Sequence, residues 1–564
     1  MSRRESSGNV PAKRPAHEQA RAWQLSDFLQ LPSIQALADQ TLSETLNDAD
    51  ETILRQLAAT TLVGATLNSR RVERGYLFVS ESAERDKRER FTQDAIERGA
   101  HAVFVASAEG LERDSLALFE GLPFFMVGVV PVFVLPNMSV SALAKAFYPR
   151  HETSIRPDIY GVTGTNGKTS CAWLLADVAE NLSIRSGLIG TLGYGSVRGT
   201  SEGRKTSSAS ALRATGYTTP DAIEMQKILA ELSVGGCQLV AIEVSSHGLD
   251  QGRVDDVDIK TAIFTNLSHD HLDYHRDMDA YFAAKRKLFE KNSVEFAVIN
   301  LDDHYAQAMI AALAPEVSYL TYSVSNEHAD IHAKVVRYGL DGIQAEVATP
   351  YGPMRLEVGL VGDFNLGNLL AVMAAFLLNG YKVADLQAGL AGVSPPPGRM
   401  QIVDLSPQAD QALPADVSVI VDFAHTPDAL QKVLTTLRKH CKRKLWCVFG
   451  CGGDRDRDKR PQMAAIAESN SDVIVVTVDN SRNESKEQII ADICSGFSNP
   501  TAHEVVLNRK DAVRQAIMQA QSGDLILLAG KGHEEFILEA DKKIPFSDLL
   551  VAEEALRARM EAAA

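Results

Sequence analysis

The sequence predicts a multi-domain α/β protein built on parallel sheets. Three observations predict it. The chain is 564 residues long, about three or four domains' worth. Its apolar runs are rich in Val, Ile and Leu, lack polar alternation and end in polar clusters, as strands covered on both faces do. Its last third alternates strand-like and helix-like segments in regular order.

The elements follow in chain order. Residues 1–24 are polar, lack the apolar core of a signal peptide and read as a flexible tail. Residues 25–150 mix short apolar runs, such as "GYLFVS" (75–80) and "AHAVFVA" (100–106), with polar turns. A small α/β domain is expected there. The most apolar stretch, "FFMVGVVPVFVL" (124–135), is too short to span a bilayer and is broken by Pro131, so a buried strand is expected. Residues 151–396 contain "QLVAIEVSSH", "TAIFTNLSHDH" and "FAVINLDD", the strands of a central parallel sheet. "SPPPGRMQ" (394–401) breaks helices and makes a linker. Residues 397–564 supply "VSVIVDFA", "KLWCVFG", "DVIVVTVDN" and "DLILLAG" with helices between, including one that starts at Thr426-Pro427. That is a doubly wound, Rossmann-like pattern.

Composition narrows the class. Hydrophobic residues make up 45% and charged residues 23%, as in a soluble enzyme. The net charge of −16 excludes a general nucleic-acid binder, which needs a broad basic surface. Six cysteines without a CxxC pair fit a reducing cytoplasm. Neither nucleic acid nor membrane is expected as a partner, and a monomer is expected.

"YGVTGTNGKTSC" (160–171) carries the first chemistry. A strict phosphate loop has a glycine where Val162 stands. What remains is Gly164, Thr165, Asn166, Gly167, Lys168, Thr169 and Ser170 opening a helix. Glycines admit phosphate to the backbone, the helix N-terminus adds positive potential, and Lys168 meets the β/γ charge. The Thr169 hydroxyl is placed to ligate Mg²⁺. A plain glycine turn is the alternative.

Two further strand ends carry acids and histidines. Glu243 closes "LVAIEV", which suggests a Mg²⁺ ligand, with a helix N-cap or solvated edge as the alternatives. "SHDHLDYH" (268–275) nearly matches the HxHxDH pattern of dinuclear metallohydrolases, with His269, His271 and Asp273 present. Tyr274 replaces the last histidine, so a zinc hydrolase lacks a ligand. One histidine serving Mg²⁺ fits better, the others being structural.

Taken in order, "GTNGKTS", "EVSSHGL", "TNLSHDHLDYH", "GDFNLGN", "PGRMQ", "VDFAHTPDAL", "FGCGGDRD", "DNSR" and "AGKGHE" match the motifs of the Mur ligases. The chain resembles that family from about residue 60 to about residue 540. The resemblance implies an ATP- and Mg²⁺-dependent amide ligase of peptidoglycan precursor synthesis. It implies a UDP-binding domain at 25–150, an ATP/Mg²⁺ domain at 151–396 and an amino-acid domain at 397–564. It assigns the glycine loop to ATP, Lys168, His271 and Lys285 to catalysis, and Thr169, Glu243, His271 and Lys285 to the metal. Lys285 matches a lysine the family carbamylates; as a bare residue it reads as a solvated helix lysine. Asn368, Arg399 and Asp422 match positions that hold adenosine.

The implied first substrate is UDP-MurNAc-L-Ala-D-Glu. "TLNSR" matches the uridine motif, giving Leu67 and Ser69, while "ESAERDKRE" replaces the next glycine-containing loop. Thr218, Thr219, Ser245, Gln251 and Arg253 fall on the peptide positions, with Tyr217 where the family has Asn. The implied second substrate is meso-diaminopimelate. Asp479, Asn480, Ser481 and Arg482 stand where diaminopimelate enzymes have DNPR. A guanidinium fork discriminates for the extra carboxylate that lysine lacks. Arg455, Gly530 and Glu534 match the remaining contacts, Glu534 taking the ammonium. Arg457 and Lys459 read as a solvated loop. The alternatives are a lysine-adding ligase, a folylpolyglutamate synthase-like ligase, an NAD oxidoreductase, for which "GCGGDR" lacks the last glycine, and a non-catalytic nucleotide-binding regulator.

Overall fold

A computed structural model of the chain describes residues 22–37, 49–107, 116–136, 138–150, 155–197, 212–405, 416–501, 503–540 and 542–563. Residues 1–21 of the expected tail lie outside these. Trp23 and Gln24, the end of that tail, instead form a short strand antiparallel to Thr61–Leu62. The Trp23 indole N–H donates to Phe147 O at 3.0 Å. Burial of that ring outweighs the polar character of the segment before it.

The chain parts into two compact units. One comprises Met1–Asp158, Thr219–Gln238 and His247–Asp258; the other comprises Ile159–Thr218, Leu239–Ser246 and Ile259–Ala564. The first holds a six-stranded sheet in the spatial order Gly64–Thr66, Tyr76–Ser80, Ala102–Val105, Val130–Val134, Leu122–Val127, Ala117–Phe119. The stretch 124–135 is therefore not one strand. It folds at Gly128, whose φ is +63°, into an antiparallel hairpin. Pro131 opposes Met126 within the hairpin, and the parallel pairing to Ala102–Val105 begins only at Val132. The missing N–H thus interrupts no bond of that ladder.

The second unit holds two sheets. The larger has ten strands in the order Gly193–Gly195, Ser186–Gly190, Leu239–Glu243, Asp158–Thr163, Ile259–Phe264, Phe296–Asn300, Ser318–Ser323, Ile331–Gly339, Gly342–Ala348, Met354–Val358. Its middle is parallel as expected, but both edges are antiparallel. The edge meander reads "MRLEV" with alternating burial, a one-sided pattern unlike the apolar runs inside. The helices Lys168–Asn181 and Asp363–Leu378 are buried almost throughout and pack with the inner strands in one core.

The smaller sheet runs Gln401–Ile402, Ser418–Asp422, Leu525–Ala529, Leu445–Phe449, Val473–Val476, His503–Val505, parallel except for its first strand. Alternate strand residues enter two separate cores. Ile420, Cys447, Phe449 and Leu527 face one, and Val421, Trp446, Val448 and Leu528 the other. Helices cover both faces, which is the doubly wound arrangement. The Thr426 hydroxyl caps the helix Pro427–Arg438 by accepting from Ala429 N. No described helix is long and apolar enough to cross a membrane.

Candidate active site

The glycine loop follows the strand Asp158–Thr163, and its neighbours end at the same edge. Gly164 has φ +151°, and a side chain there would overlap the Thr265 hydroxyl. Gly167, at φ +87°, caps the helix Lys168–Asn181 in a left-handed conformation that a side chain disfavours. Lys168 folds back so that Nζ donates to Gly164 O and Thr165 O, both at 2.8 Å. Burial pushes its pKa down, with Glu243 and Asp270 pulling the other way.

Glu243 is fully buried, neither an N-cap nor a solvated edge. Its carboxylate accepts from the Thr169 hydroxyl at 2.8 Å, from Thr191 N at 2.8 Å and from the Thr191 hydroxyl at 3.2 Å. Burial raises its pKa against these donors and the charge of Lys168. Arg399 reaches the same Thr169 hydroxyl at 3.3 Å, and its guanidinium lies 4.3 Å from the centre of the Phe423 ring. Thr169, Glu243 and Thr191 thus gather hard oxygen donors beside the loop. Mg²⁺ suits such a set, because it keeps several waters and shares phosphate oxygens. No group of three or more His, Cys, Asp or Glu among the described residues is placed to hold a metal.

Lys285 is not the solvated lysine its sequence suggests. It is 1% exposed, on the helix Met278–Arg286, with Nζ donating to Gly164 O at 2.9 Å and lying 4.5 Å over the Tyr281 ring. Burial first, then Lys168, pushes its pKa far down, toward the neutral amine. Tyr281, one turn earlier on the same face, shares a hydrogen bond of 3.2 Å with the Thr165 hydroxyl. The histidines divide. His275 is buried, bonded to the Ser246 hydroxyl at 2.9 Å and stacked on Tyr281. His269 is exposed. His271 is also exposed, at φ +55°, with its ring edge to Tyr281. The structure brings Lys168 and Lys285 together at Gly164 O, pairs Thr169 with Glu243, and sets the His271 ring edge-on to Tyr281.

Asn368 is buried, accepting from Cys171 Sγ at 3.3 Å and donating to Asn365 at 3.2 Å. Asp422 accepts from Met400 N at 2.8 Å and Ala424 N at 2.7 Å, so it ties the 394–401 linker to its strand end. Sequence reading missed Asp428. Its carboxylate accepts from Asn166 of the glycine loop at 2.9 Å, Ser268 at 3.3 Å and Lys432 at 2.9 Å. Its place in the first turn after a cap gave no sign of that contact.

The expected substrate positions are distributed over both units. In the first, Ser69 is buried in a short helical turn capped by Asn68, and Leu67 is half-buried. Arg253 forks onto Gln251 at 3.0 and 2.6 Å and donates to Thr219 O at 2.7 Å. In the second, the Thr218 hydroxyl accepts from Thr191 at 3.1 Å, Ser245 is half-buried, and Tyr217 is exposed.

A third set lies at the carboxyl edge of the smaller sheet. Asp479, Asn480 and Ser481 are buried. Arg482, at φ +49°, is half-buried and donates to Gly453 O at 2.8 Å. Its pKa is lowered by burial and by the charge of exposed Arg455. Two guanidiniums facing one region would favour an anionic ligand. Asn480 donates to Glu534 at 3.0 Å, and Gly530 passes within van der Waals reach of Asp479, where a side chain would crowd it. In the neighbouring charged loop Arg457 is exposed, as expected, and Lys459 half-buried, yet both make contacts. Arg457 forks onto Asp492 at 3.0 and 3.1 Å, and Lys459 reaches His425 O at 3.0 Å. Arg460, fully buried and unforeseen, holds Glu484 at 2.7 Å through both nitrogens and Asp492 at 2.8 Å.

The order of these sites along the chain is that of a known family. The Mur ligase middle domain matches residues 162–376, and the Mur ligase, glutamate ligase domain matches residues 398–532. A UDP-N-acetylmuramoyl-L-alanyl-D-glutamate–2,6-diaminopimelate ligase from Ectopseudomonas mendocina is 42% identical over 496 residues, 87% of this chain and 94% of that protein. The chain belongs to the Mur ligases. The ligase of the same description from Coxiella burnetii is 38% identical over 509 residues, 89% of this chain and 97% of that protein. A solved Mur ligase structure, of a UDP-N-acetylmuramoyl-L-alanyl-D-glutamate–2,6-diaminopimelate ligase, covers 93% of the chain and 99% of its own. It is 32% identical, with a TM-score of 0.59.

Proposed function

We propose that this Mur ligase joins meso-diaminopimelate to the D-Glu of UDP-MurNAc-L-Ala-D-Glu at the expense of ATP, in the cytoplasm, for peptidoglycan synthesis. The paired guanidiniums Arg455 and Arg482 beside Glu534 and Asn480 carry the choice of amino acid. They offer cations to the distal carboxylate and an acceptor to the ammonium. The three-domain division at residues 150 and 396 belongs to this reading, with UDP, ATP and amino acid held in turn.

The γ-carboxylate of D-Glu attacks the terminal phosphorus of ATP, giving an acyl phosphate and ADP. The neutral amine of the second substrate then attacks the acyl carbon, and phosphate leaves with the C–O bonding pair as the amide forms. The first step sets an anion against an anion, so catalysis is positioning plus charge neutralisation. Lys168 supplies one cation, the loop N–H groups orient the phosphates, and Asn368, Arg399 and Asp422 are assigned to the adenosine. Thr169 and Glu243 would hold Mg²⁺, which supplies Lewis-acid stabilisation of the phosphoryl oxygens. Carbamylation of Lys285 needs a neutral amine, and its burial beside Lys168 supplies one. The modified side chain would join Thr169, Glu243 and His271 as a metal ligand.

The test is phosphate release from ATP and the UDP-dipeptide with either meso-diaminopimelate or L-lysine. Stimulation by meso-diaminopimelate alone is expected. Stimulation by lysine instead retains the ligase and discards the Arg482 assignment; stimulation by neither overturns the proposal.

A further inference from the structure

The loops Asp479–Arg482 and Gly530–Glu534 enclose a cation to which no motif gave a role. Lys531 is 0% exposed. Its Nζ donates to Asn480 Oδ1 at 3.0 Å and to Glu534 Oε2, with Asp479 Oδ1 at 3.6 Å. An ammonium this far from water is retained only where its donors and charge are matched, and here they meet groups from both loops.

The Lys531 contact fixes its neighbours. Asn480 Oδ1 receives two donors, Lys531 Nζ and Leu538 N at 2.8 Å. A flipped amide would set its NH₂ against both, so the orientation is forced and Nδ2 must donate toward Glu534 Oε2. Oε2 is then engaged twice, while Oε1 has no partner among the described residues. The Glu534 side chain keeps 24% exposure, so a ligand can reach it. Behind the site, Arg509 is bonded through two nitrogens to Asp548 and donates to Ala529 O at 2.8 Å, just before Gly530. Although burial pushes Asp479 upward, Lys531 and Arg509 hold it below the usual carboxylate range.

We propose that Lys531 is a positioning residue of the amino-acid site: by occupying Oε2 of Glu534 and locking the Asn480 amide, it reserves Oε1 for the distal ammonium of the incoming amino acid. This rests on the ligase reading above. Lys531 does not itself touch the amino acid. It determines which acceptor is open and where that acceptor points.

The test measures phosphate release at saturating ATP and UDP-dipeptide while meso-diaminopimelate is varied. Lys531→Met is expected to raise the KM for meso-diaminopimelate about tenfold, with kcat and the KM for ATP changed less than about twofold. Because Lys531 acts through Glu534, adding Lys531→Met to Glu534→Gln should change that KM by less than about twofold. The double variant removes both charges of the pair, so it tests the proposal even where the single variant, with a carboxylate left uncompensated, does not fold. An unchanged KM in Lys531→Met, or a further tenfold loss in the double variant, overturns the proposal while the wild-type response leaves the ligase reading standing. A wild type indifferent to meso-diaminopimelate overturns both.

Discussion

The two sheets of the larger unit treat their basic side chains in opposite ways. Around the glycine loop, Lys168 and Lys285 donate only to backbone carbonyls, and among the described residues neither reaches a carboxylate. At the edge of the smaller sheet, Arg460, Arg509 and Lys531 are as buried as Lys285 and more buried than Lys168, which is half-buried, but each rests on a carboxylate of its own chain. An unmatched cation such as Lys168 raises the energy of the empty protein and matches a ligand that brings negative charge. Matched cations stabilise loops and leave specificity to the few groups still open. On the proposed reading, the glycine-loop side suits a polyanion and the smaller-sheet edge a zwitterion.

Lys168→Ala should cost the most, lowering ATP-dependent phosphate release by roughly 10³-fold, as loss of a charge-stabilising donor does; a near wild-type rate would remove the phosphate loop from the mechanism. Lys285→Met should lower turnover by roughly 10²-fold, yet leave the thermal midpoint unchanged or raised. It exchanges a desolvated amine for an apolar chain of similar shape. A large fall in the midpoint would mean that Lys285 is matched after all. Arg482→Ala should raise the KM for meso-diaminopimelate by about 10²-fold and leave that for ATP alone, checked by initial rates with each substrate varied.

The matched cations should behave differently. Arg460→Leu leaves Glu484 and Asp492 without their buried partner and should cost about 3–5 kcal/mol in urea unfolding. Arg460 holds Glu484 down at about 2. A carboxylate depressed on folding contributes stability that is complete above its unfolded pKa and is lost as pH falls through the folded one. Wild-type stability should therefore decline between about pH 4.5 and about pH 2, and Arg460→Leu should flatten that part of the profile. Arg457→Ala shares the partner Asp492, but its side chain is 57% exposed, so a loss under about 1 kcal/mol is expected. Equal losses for the two arginines would show that burial is not what separates them.

Much of this architecture is legible in the chain. The inner strands of both sheets were marked by unalternated apolar runs, and the helix at Thr426-Pro427 by its cap. The glycine loop, Glu243 and the DNSR cluster stand at strand ends where parallel sheets collect ligands. The antiparallel edges escaped because Gly193–Gly195 is too short to carry a pattern and Ile331–Gly339 alternates weakly, while the alternation of Met354–Val358 covers only five residues. The hairpin at Gly128 escaped because two adjacent apolar strands read as one run.

Sequence by itself therefore determined the fold class, the family and the kinds of residue at each site, since periodicity and motif spacing are local properties. Tertiary structure alone decided which charges are left unmatched. Whether Lys285 is a solvated helix lysine or a neutralised amine, and whether Arg457 or Arg460 carries the loop, depends on desolvation. Desolvation is set by what the rest of the chain packs around a side chain, and no local pattern contains it.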